Sequence, residues 1–293
     1  MARITAKCMG CGAVKMVSEM VATACANRGA NKVAYMCKHC ATHNDGYQSM
    51  RENGEIGGVE NGFRFGIELE TNCSTDNFRN MMFRYGFEAT HDGSLNDIGE
   101  NRYYGGWGRE ASCEYVSPTN KGLKRFTKQF IEIENYLNNG EIQMDDSCGT
   151  HCHISYNNME NGEMAMICNY FQSLFTEIQN VMIANPEKTK KFFGRYFCHY
   201  APRFYENTHM RLGDHDDRYC WVNCTNHTNI EFRLNKFVTA EQMRECIKFE
   251  QWMTKTIIDN FTSKYNNGEN RKELAKKTGA KLAKKLAKIY AEM

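Results

Sequence analysis

The chain has no run of apolar residues long enough to cross a bilayer as a helix. Its first residues include Lys and Arg but no apolar stretch behind them, so a secretory signal is not expected. Formal net charge is only +2, which sets it apart from strongly basic proteins that coat nucleic acid. No internal repeat and no P-loop pattern is present, although the lack of a P-loop does not argue against ATP. With 293 residues the chain is long enough for one large domain or two modest ones, each with a sizeable core. The expectation is a cytoplasmic enzyme or binding protein with no membrane contact.

Cysteine, by contrast, is abundant, with 14 in the chain. Without an export signal these read as reduced thiols or metal ligands rather than a disulfide scaffold. Cys8 and Cys11 form one Cys-x-x-Cys knuckle in "CMGCG", and Cys37 and Cys40 a second in "MCKHC". Two such pairs suit one tetrahedral structural zinc, and Gly10 and Gly12 ease the first bend. Cys25, His39 and His43 are substitute ligands, and the plain alternative is a set of unrelated buried cysteines.

The expected organisation is a zinc ribbon over 1–50, a polar glycine-rich linker over 51–62, a catalytic domain over 63–265 and a basic helix over 266–293. Strand patterns fall near 63–71, 110–117, 148–156, 218–224 and 228–235. Leu123, Phe126, Phe130, Ile133 and Leu137 share one helix face. Met164, Ile167, Phe171, Leu174, Ile178 and Val181 share a second. Thr239 and Gln242 form a capping box before Met243, Ile247, Met253 and Ile257. Strands separated by helices predict an α+β fold, with helices backing one face of a curved antiparallel sheet. From Gly268 to Met293 eight Lys/Arg face three Glu, a net of +5, leaving about −3 on the rest. Leu274, Leu282, Leu286 and Ile289 give this tail a helical stripe. It either packs on its own domain or contacts nucleic acid or an acidic partner.

Three strand patterns share one design. In "FRFGIELE" Phe63, Phe65, Ile67 and Leu69 point one way, and Arg64, Gly66, Glu68 and Glu70 the other. In "GTHCHIS" Thr150, Cys152 and Ile154 oppose His151, His153 and Ser155. In "NIEFRL" Ile230, Phe232 and Leu234 oppose Glu231 and Arg233. Carboxylates and imidazoles converging on one sheet face suit Mg²⁺ or Mn²⁺, with Arg233 beside them as a phosphate clamp. Taken alone, Glu68 and Glu70 read as a solvated strand face. Asp92, Gly93 and Ser94 form a turn in "HDGSL", and Glu114 precedes the strand-ending Ser117-Pro118 in "CEYVSP". Arg218 and Asn223 lie in "RYCWVN". Asp92 has an Asx-turn as its plain alternative, and Arg218 a surface ion pair.

In chain order, "GIELE", "HDGS", "EYVSP", "GTHCHIS", "RYCWVN" and "IEFR" resemble the signature blocks of the amidoligase family. These are carboxylate–amine ligases related to glutamine synthetase and glutamate–cysteine ligase, often encoded by phages. The resemblance covers about residues 63–235 and implies a glutamine-synthetase-like sheet. It also implies ATP as cosubstrate, two or more Mg²⁺ or Mn²⁺, and a carboxylate and an amine substrate, on small molecules or a macromolecule. Glu68, Glu70, Glu114, His151 and Glu231 match the metal ligands, with His153 near nucleotide or substrate. Arg218 and Arg233 match the phosphate arginines, and Asp92 and Ser94 lie near the substrates. One further metal glutamate of glutamine synthetase has no counterpart here. The glycine-rich "NDIGENRYYGGWG" suits a flap over the site. The location implied is the cytoplasm, that of the host for a phage protein.

Two rivals stay open: a binding module using the ribbon and tail beside an inactive ligase-like domain, and a metal-dependent hydrolase. The ribbon reading is checked directly. Freshly purified, reduced protein is expected to contain about one zinc per chain, lost on Cys8→Ser/Cys11→Ser substitution. Elemental analysis that finds no zinc removes the ribbon.

Overall fold

The computed structural model describes residues 5–7, 14–16, 20–25, 32–37, 62–90, 95, 112–117, 122–157, 159, 161–206, 208–213, 220–262 and 270–293. Its first elements are two antiparallel hairpins. Thr5–Lys7 (β1) pairs with Val14–Met16 (β2), and Met20–Cys25 (β3) with Lys32–Cys37 (β4). Cys8, Cys11, His39, Cys40 and His43 lie outside the described residues, as do the side chains of Cys25 and Cys37. So do Asp92, Gly93, Ser94, Arg218, the glycine-rich segment before Glu114 and all of the linker except Gly62.

The rest of the chain is α+β. Phe63–Thr71 (β5) leads into Cys73–Ser74 (β6), Asp76–Arg84 (α1), Glu88–Thr90 (β7), Cys113–Val116 (β8), Leu123–Asn138 (α2) and Ile142–Gln143 (β9). Thr150–Tyr156 (β10) follows, then helices Asn161–Asn169 (α3), Phe171–Ala184 (α4) and Pro186–Phe193 (α5). Val222–Asn223 (β11), Ile230–Phe232 (β12), Ala240–Ile257 (α6) and Arg271–Glu292 (α7) complete the chain. The strands of the main sheet run in the order β11-β12-β10-β5-β8-β7. Residue contacts group into two compact units. One holds the described residues up to 37 together with Gly66–Cys148; the other holds Gly149–Met293 and the first residues of β5.

In the first unit, alternation along β5 buries Ile67 and Leu69 against the core. β5 pairs antiparallel with β8, and β8 with β7. Ser117 closes the pairing at one end, its backbone N–H donating to the Ile67 carbonyl and its hydroxyl accepting from the Ile67 N–H, both at 2.8 Å. Thr75 caps α1 by accepting from the Phe78 N–H. α2 buries Leu123, Phe126, Phe130 and Ile133 as its periodicity predicts, while Leu137 is only half-buried. Phe78 meets Tyr115 edge-on at 5.2 Å, and the Tyr115 hydroxyl shares a 2.7 Å hydrogen bond with Ser74. Burial pushes the Tyr115 phenol up to about 12.

In the second unit, β12 pairs antiparallel with β10 on one side and β11 on the other. The single helix predicted from Met164 to Val181 is two, α3 and α4, parted at Tyr170 (φ −114°, ψ 18°). Periodicity persists across the break because both helices face one core, so hydrophobic spacing alone does not reveal it. Gln179 of α4 ties that core together. Its amide donates to the Phe204 carbonyl at 2.9 Å, and its oxygen accepts from the Phe204 N–H at 2.9 Å and the Trp221 indole at 3.1 Å. The predicted cap of α6 is present: Thr239 accepts from the Gln242 N–H at 3.1 Å.

The basic tail helix α7 packs against α4 on its own unit. Its buried stripe is Ala275, Thr278, Gly279, Leu282, Ala283, Leu286 and Tyr290. Leu282 and Leu286 belong to the expected stripe, whereas Leu274 and Ile289 are half-buried at its edges. A Cβ at Gly279 would lie 2.7 Å from the Ser173 carbonyl oxygen and 2.8 Å from that of Leu174, so small residues set the approach of the two helices. Tyr290 anchors the far end, donating to the Thr189 hydroxyl at 2.9 Å.

Beneath β10, α6 contributes a fully buried carboxyl, Glu250. Asn235 donates to its Oε1 at 2.8 Å, and the Cys152 and Cys246 thiols lie beside it. Burial pushes the Glu250 carboxyl up to about 8. The unfolded chain therefore releases this proton near 4.5 while the folded chain keeps it to about 8, and stability falls as pH rises through that window. Glu250→Gln is expected to flatten that decline, measured as urea midpoints from pH 5 to pH 8. An unchanged pH slope in the variant would show that the carboxyl is not held protonated.

Candidate functional site

The sequence predicts an apolar and an ionisable face for each of three strands, and the structure places the residues accordingly. In the second unit, pairing of β10 with β12 sets His153 opposite Glu231, and pairing of β12 with β11 sets Asn223 opposite Glu231. Glu231 is only 5% exposed, so its charge depends on what replaces water around it. The Arg233 guanidinium donates to Oε1 at 2.5 Å. Asn223 donates to Oε2 at 2.7 Å, and Asn226 reaches the same oxygen at 3.4 Å. The His151 imidazole lies 3.7 Å from Oε1. Asn223 is itself fixed by accepting from the Thr225 N–H at 2.8 Å.

The tautomer of His153 follows from its neighbours. Asn226 donates to the Asn229 side-chain oxygen at 3.2 Å, which identifies that oxygen as an acceptor. His153 Nδ1 is 3.1 Å from the same oxygen and therefore carries the proton. In the neutral ring the lone pair is then on Nε2, the arrangement suited to a metal-binding imidazole. His153 and Glu231 offer ligand atoms within 4.8 Å of each other and belong to a group able to hold a metal ion. A carboxylate oxygen with an imidazole nitrogen suits Mn²⁺ well and Mg²⁺ acceptably.

A second buried cation, Arg195, stands beside Arg233 and was not singled out from sequence. Its guanidinium donates to the Arg233 carbonyl, and a Cβ at Gly149 would lie 2.6 Å from its Nη2. Gly149 thus leaves the space that the guanidinium fills. Gly194 ends α5 at φ +90°, and a Cβ there would lie 1.8 Å from the Lys236 carbonyl oxygen. The same corner is closed by the Lys236 N–H donating to the Phe193 carbonyl at 2.7 Å. The sequence signal was present in "KKFFGR": an amphipathic turn, a glycine in the C-cap position and an arginine directly after it.

In the first unit, the β5–β8 register sets Glu70 opposite Glu114 and Glu68 opposite Val116. Glu70 is 4% exposed, and Glu68 and Glu114 are half-buried. Two glutamates directly opposed across an antiparallel pair repel, and a cation between them offsets that repulsion. Thr90 positions Glu114 by donating to its carboxylate at 3.1 Å. Nearby, burial, reinforced by the negative charges of Asp145 and Glu70, pushes the Cys148 thiol up to about 12. Cys148 therefore stays a thiol near neutral pH and is no nucleophile. Asn72 accepts from that thiol at 2.9 Å and from the Asp145 N–H at 2.5 Å, which makes this corner a polar support for the end of β5.

No protein-family model and no curated protein matches the chain.

Glu231→Gln is expected to weaken Mn²⁺ binding by about 100-fold. Asn223→Ala, which only loosens the carboxylate, should cost about 10-fold. Titration calorimetry or Mn²⁺ electron paramagnetic resonance reads both, and wild-type affinity in Glu231→Gln would remove this residue from any metal site.

Proposed function

We propose that the chain is an ATP-dependent carboxylate–amine ligase that forms an amide bond through an acyl phosphate. The observation that carries this reading is the Glu231 cluster, a buried carboxylate gripped by Arg233 and Asn223 with His151 and His153 on the neighbouring strand. Glu68 is assigned to metal binding from the resemblance. The opposed pair Glu70 and Glu114 supplies further carboxylates for a second ion. This donor chemistry, carboxylates with imidazole, fits Mg²⁺ or Mn²⁺, the ions that would accompany a nucleotide. When bound, such ions neutralise phosphate oxygens and polarise the γ-phosphoryl group.

The chain's own residues have distinct tasks in this reaction. The substrate carboxylate attacks the γ-phosphorus of ATP, forming an acyl phosphate and ADP. The amine then adds to the acyl carbon, phosphate leaves, and the ammonium proton passes to solvent or a nearby base. Arg233 meets the charge that builds on the transferred phosphoryl group, and Arg218 is assigned the same role from the resemblance. Arg195 holds the Arg233 backbone, and Asn223 holds the Glu231 carboxylate, so neither has to reorganise during the step. Asp92 and Ser94 are assigned to the substrates and the glycine-rich segment to a cover that excludes water, because acyl phosphates hydrolyse readily. Arg233 beside a metal-competent cluster suits a metal-dependent hydrolase as well, and nucleotide use separates the two readings, because the hydrolase needs no ATP.

The test is incubation with ATP, Mg²⁺ or Mn²⁺, and a pool of amino acids, amines and peptides, followed by mass spectrometry. The expected products are ADP, phosphate and a condensation product lighter by one water than its parents. Both Glu68→Ala and Arg233→Ala should lower the rate by on the order of 10²-fold or more. Turnover of a substrate without ATP, or full activity in Glu68→Ala, would refute the assignment.

A further inference from the structure

On the second unit the outer side of α7 carries a charge pattern that the ligase chemistry does not use. Lys277, Lys281, Lys284, Lys285 and Lys288 are all exposed. At 3.6 residues per turn they fall within an arc of about 100°, opposite the buried stripe, with neighbouring cations about 6 Å or less apart along the axis. The acids on this side sit at its ends, where Glu273 is 4.0 Å from Lys277 and Glu292 is 3.7 Å from Lys288. Among the described residues, Lys281, Lys284 and Lys285 make no ion pair in between. Because Gly279, Leu282 and Leu286 seat the helix on α4, the lysines are held as a fixed row rather than on a loose tail.

This row runs into a groove. Lys285, Ile289 and Glu292 of α7, with the following Met293, line a depression of about 800 Å³ together with residues of α5 and α6. Its wall includes Phe249 and Trp252, whose rings stack at 6.1 Å with an interplanar angle of 22°. Lys191 and Lys248 stand at the groove as well. Its three acids each have a cation beside them: Glu245 is engaged by Arg244 at 2.8 Å and Lys248 at 2.9 Å, Glu241 lies 3.7 Å from Arg244, and Glu292 lies 3.7 Å from Lys288, which leaves Lys191 and Lys285 to face a ligand.

A row of lysines leading to an aromatic wall is suited to a ligand with both repeated negative charge and flat rings. We infer that α7 and this groove bind single-stranded nucleic acid, the lysine row taking the phosphates and Trp252 stacking a base. An acidic protein segment satisfies the lysines but offers nothing for the aromatic wall. Duplex nucleic acid keeps its bases stacked on each other and away from Trp252. The assignment is independent of the ligase reading, because no residue of the Glu231 cluster takes part.

The test uses the full chain and a fluorescent oligonucleotide of about 20 residues, with anisotropy read across a salt series. Affinity is expected to fall steeply with salt, and Lys281→Gln/Lys284→Gln/Lys285→Gln should weaken binding at least 10-fold. The triple variant should also lower the log–log salt slope by about 2, as expected for three lost phosphate contacts on a single strand. Trp252→Leu should cost several-fold in affinity with the slope unchanged and should leave binding of heparin, which has no bases, untouched. Circular dichroism verifies that these surface variants remain folded. Absence of oligonucleotide binding at low salt, equal binding by the triple variant, or tighter binding of polyglutamate or duplex than of the single strand would each overturn the inference.

Discussion

A carboxylate taken out of water keeps its charge only where donors and cations replace the solvent, and Glu231 meets that requirement in a confined space. Arg233, Asn223 and Asn226 supply the donors, and His151 stands near the same oxygen. Removing any one of these partners would leave a buried charge under-compensated, which costs more than the lost contact itself. The surrounding elements are arranged to keep these partners in place. β10 and β11 flank the strand that carries Glu231, Thr225 fixes the orienting asparagine, and Asn226 and Asn229 hold His153.

The support extends down to the helices beneath. Arg195 braces the Arg233 backbone, and it stands there because Gly194 allows α5 to end against the Lys236 carbonyl. One helix further, Glu250 stays protonated under the apolar face of β10, hydrogen-bonded by Asn235. The two faces of the same strands therefore treat carboxyl groups in opposite ways. On one, cations and amides hold a charge; on the other, burial without a cation leaves the acid neutral. In the first unit the opposed Glu70 and Glu114 carry the same tension as Glu231, with Thr90 as a local donor.

Helix α7 carries two patterns on opposite sides. Its small and apolar residues let it approach α4 closely, and that fixed seat turns its lysines outward as a row. Composition gave both halves of this pattern, but it did not distinguish a solvated helix from a binding face. The neighbouring groove, with Phe249 and Trp252 in its wall, is what the proposed single-strand contact rests on.

Local rules were enough for the elements with strong periodicity. The alternation of "FRFGIELE", the stripe of Leu123 to Ile133 and the Thr239/Gln242 cap are all present where the residues placed them. Short or weakly patterned elements were not legible: β6 and β9 are two residues each, and α1, β7 and α5 were passed over. The break at Tyr170 leaves no mark on the hydrophobic spacing because both helices it separates bury the same side. At the site, the sequence by itself determined which side chains share a strand face, since that depends only on the two-residue period of a strand. Register and support were decided by tertiary structure alone. The pairing of Glu231 with His153 and Asn223, the opposition of Glu70 and Glu114, and the placement of Arg195 all join residues distant in the chain. Such contacts depend on how strands align and on what a helix end meets; Gly194 marks where α5 stops, but no local pattern of residues names the partner on the other side.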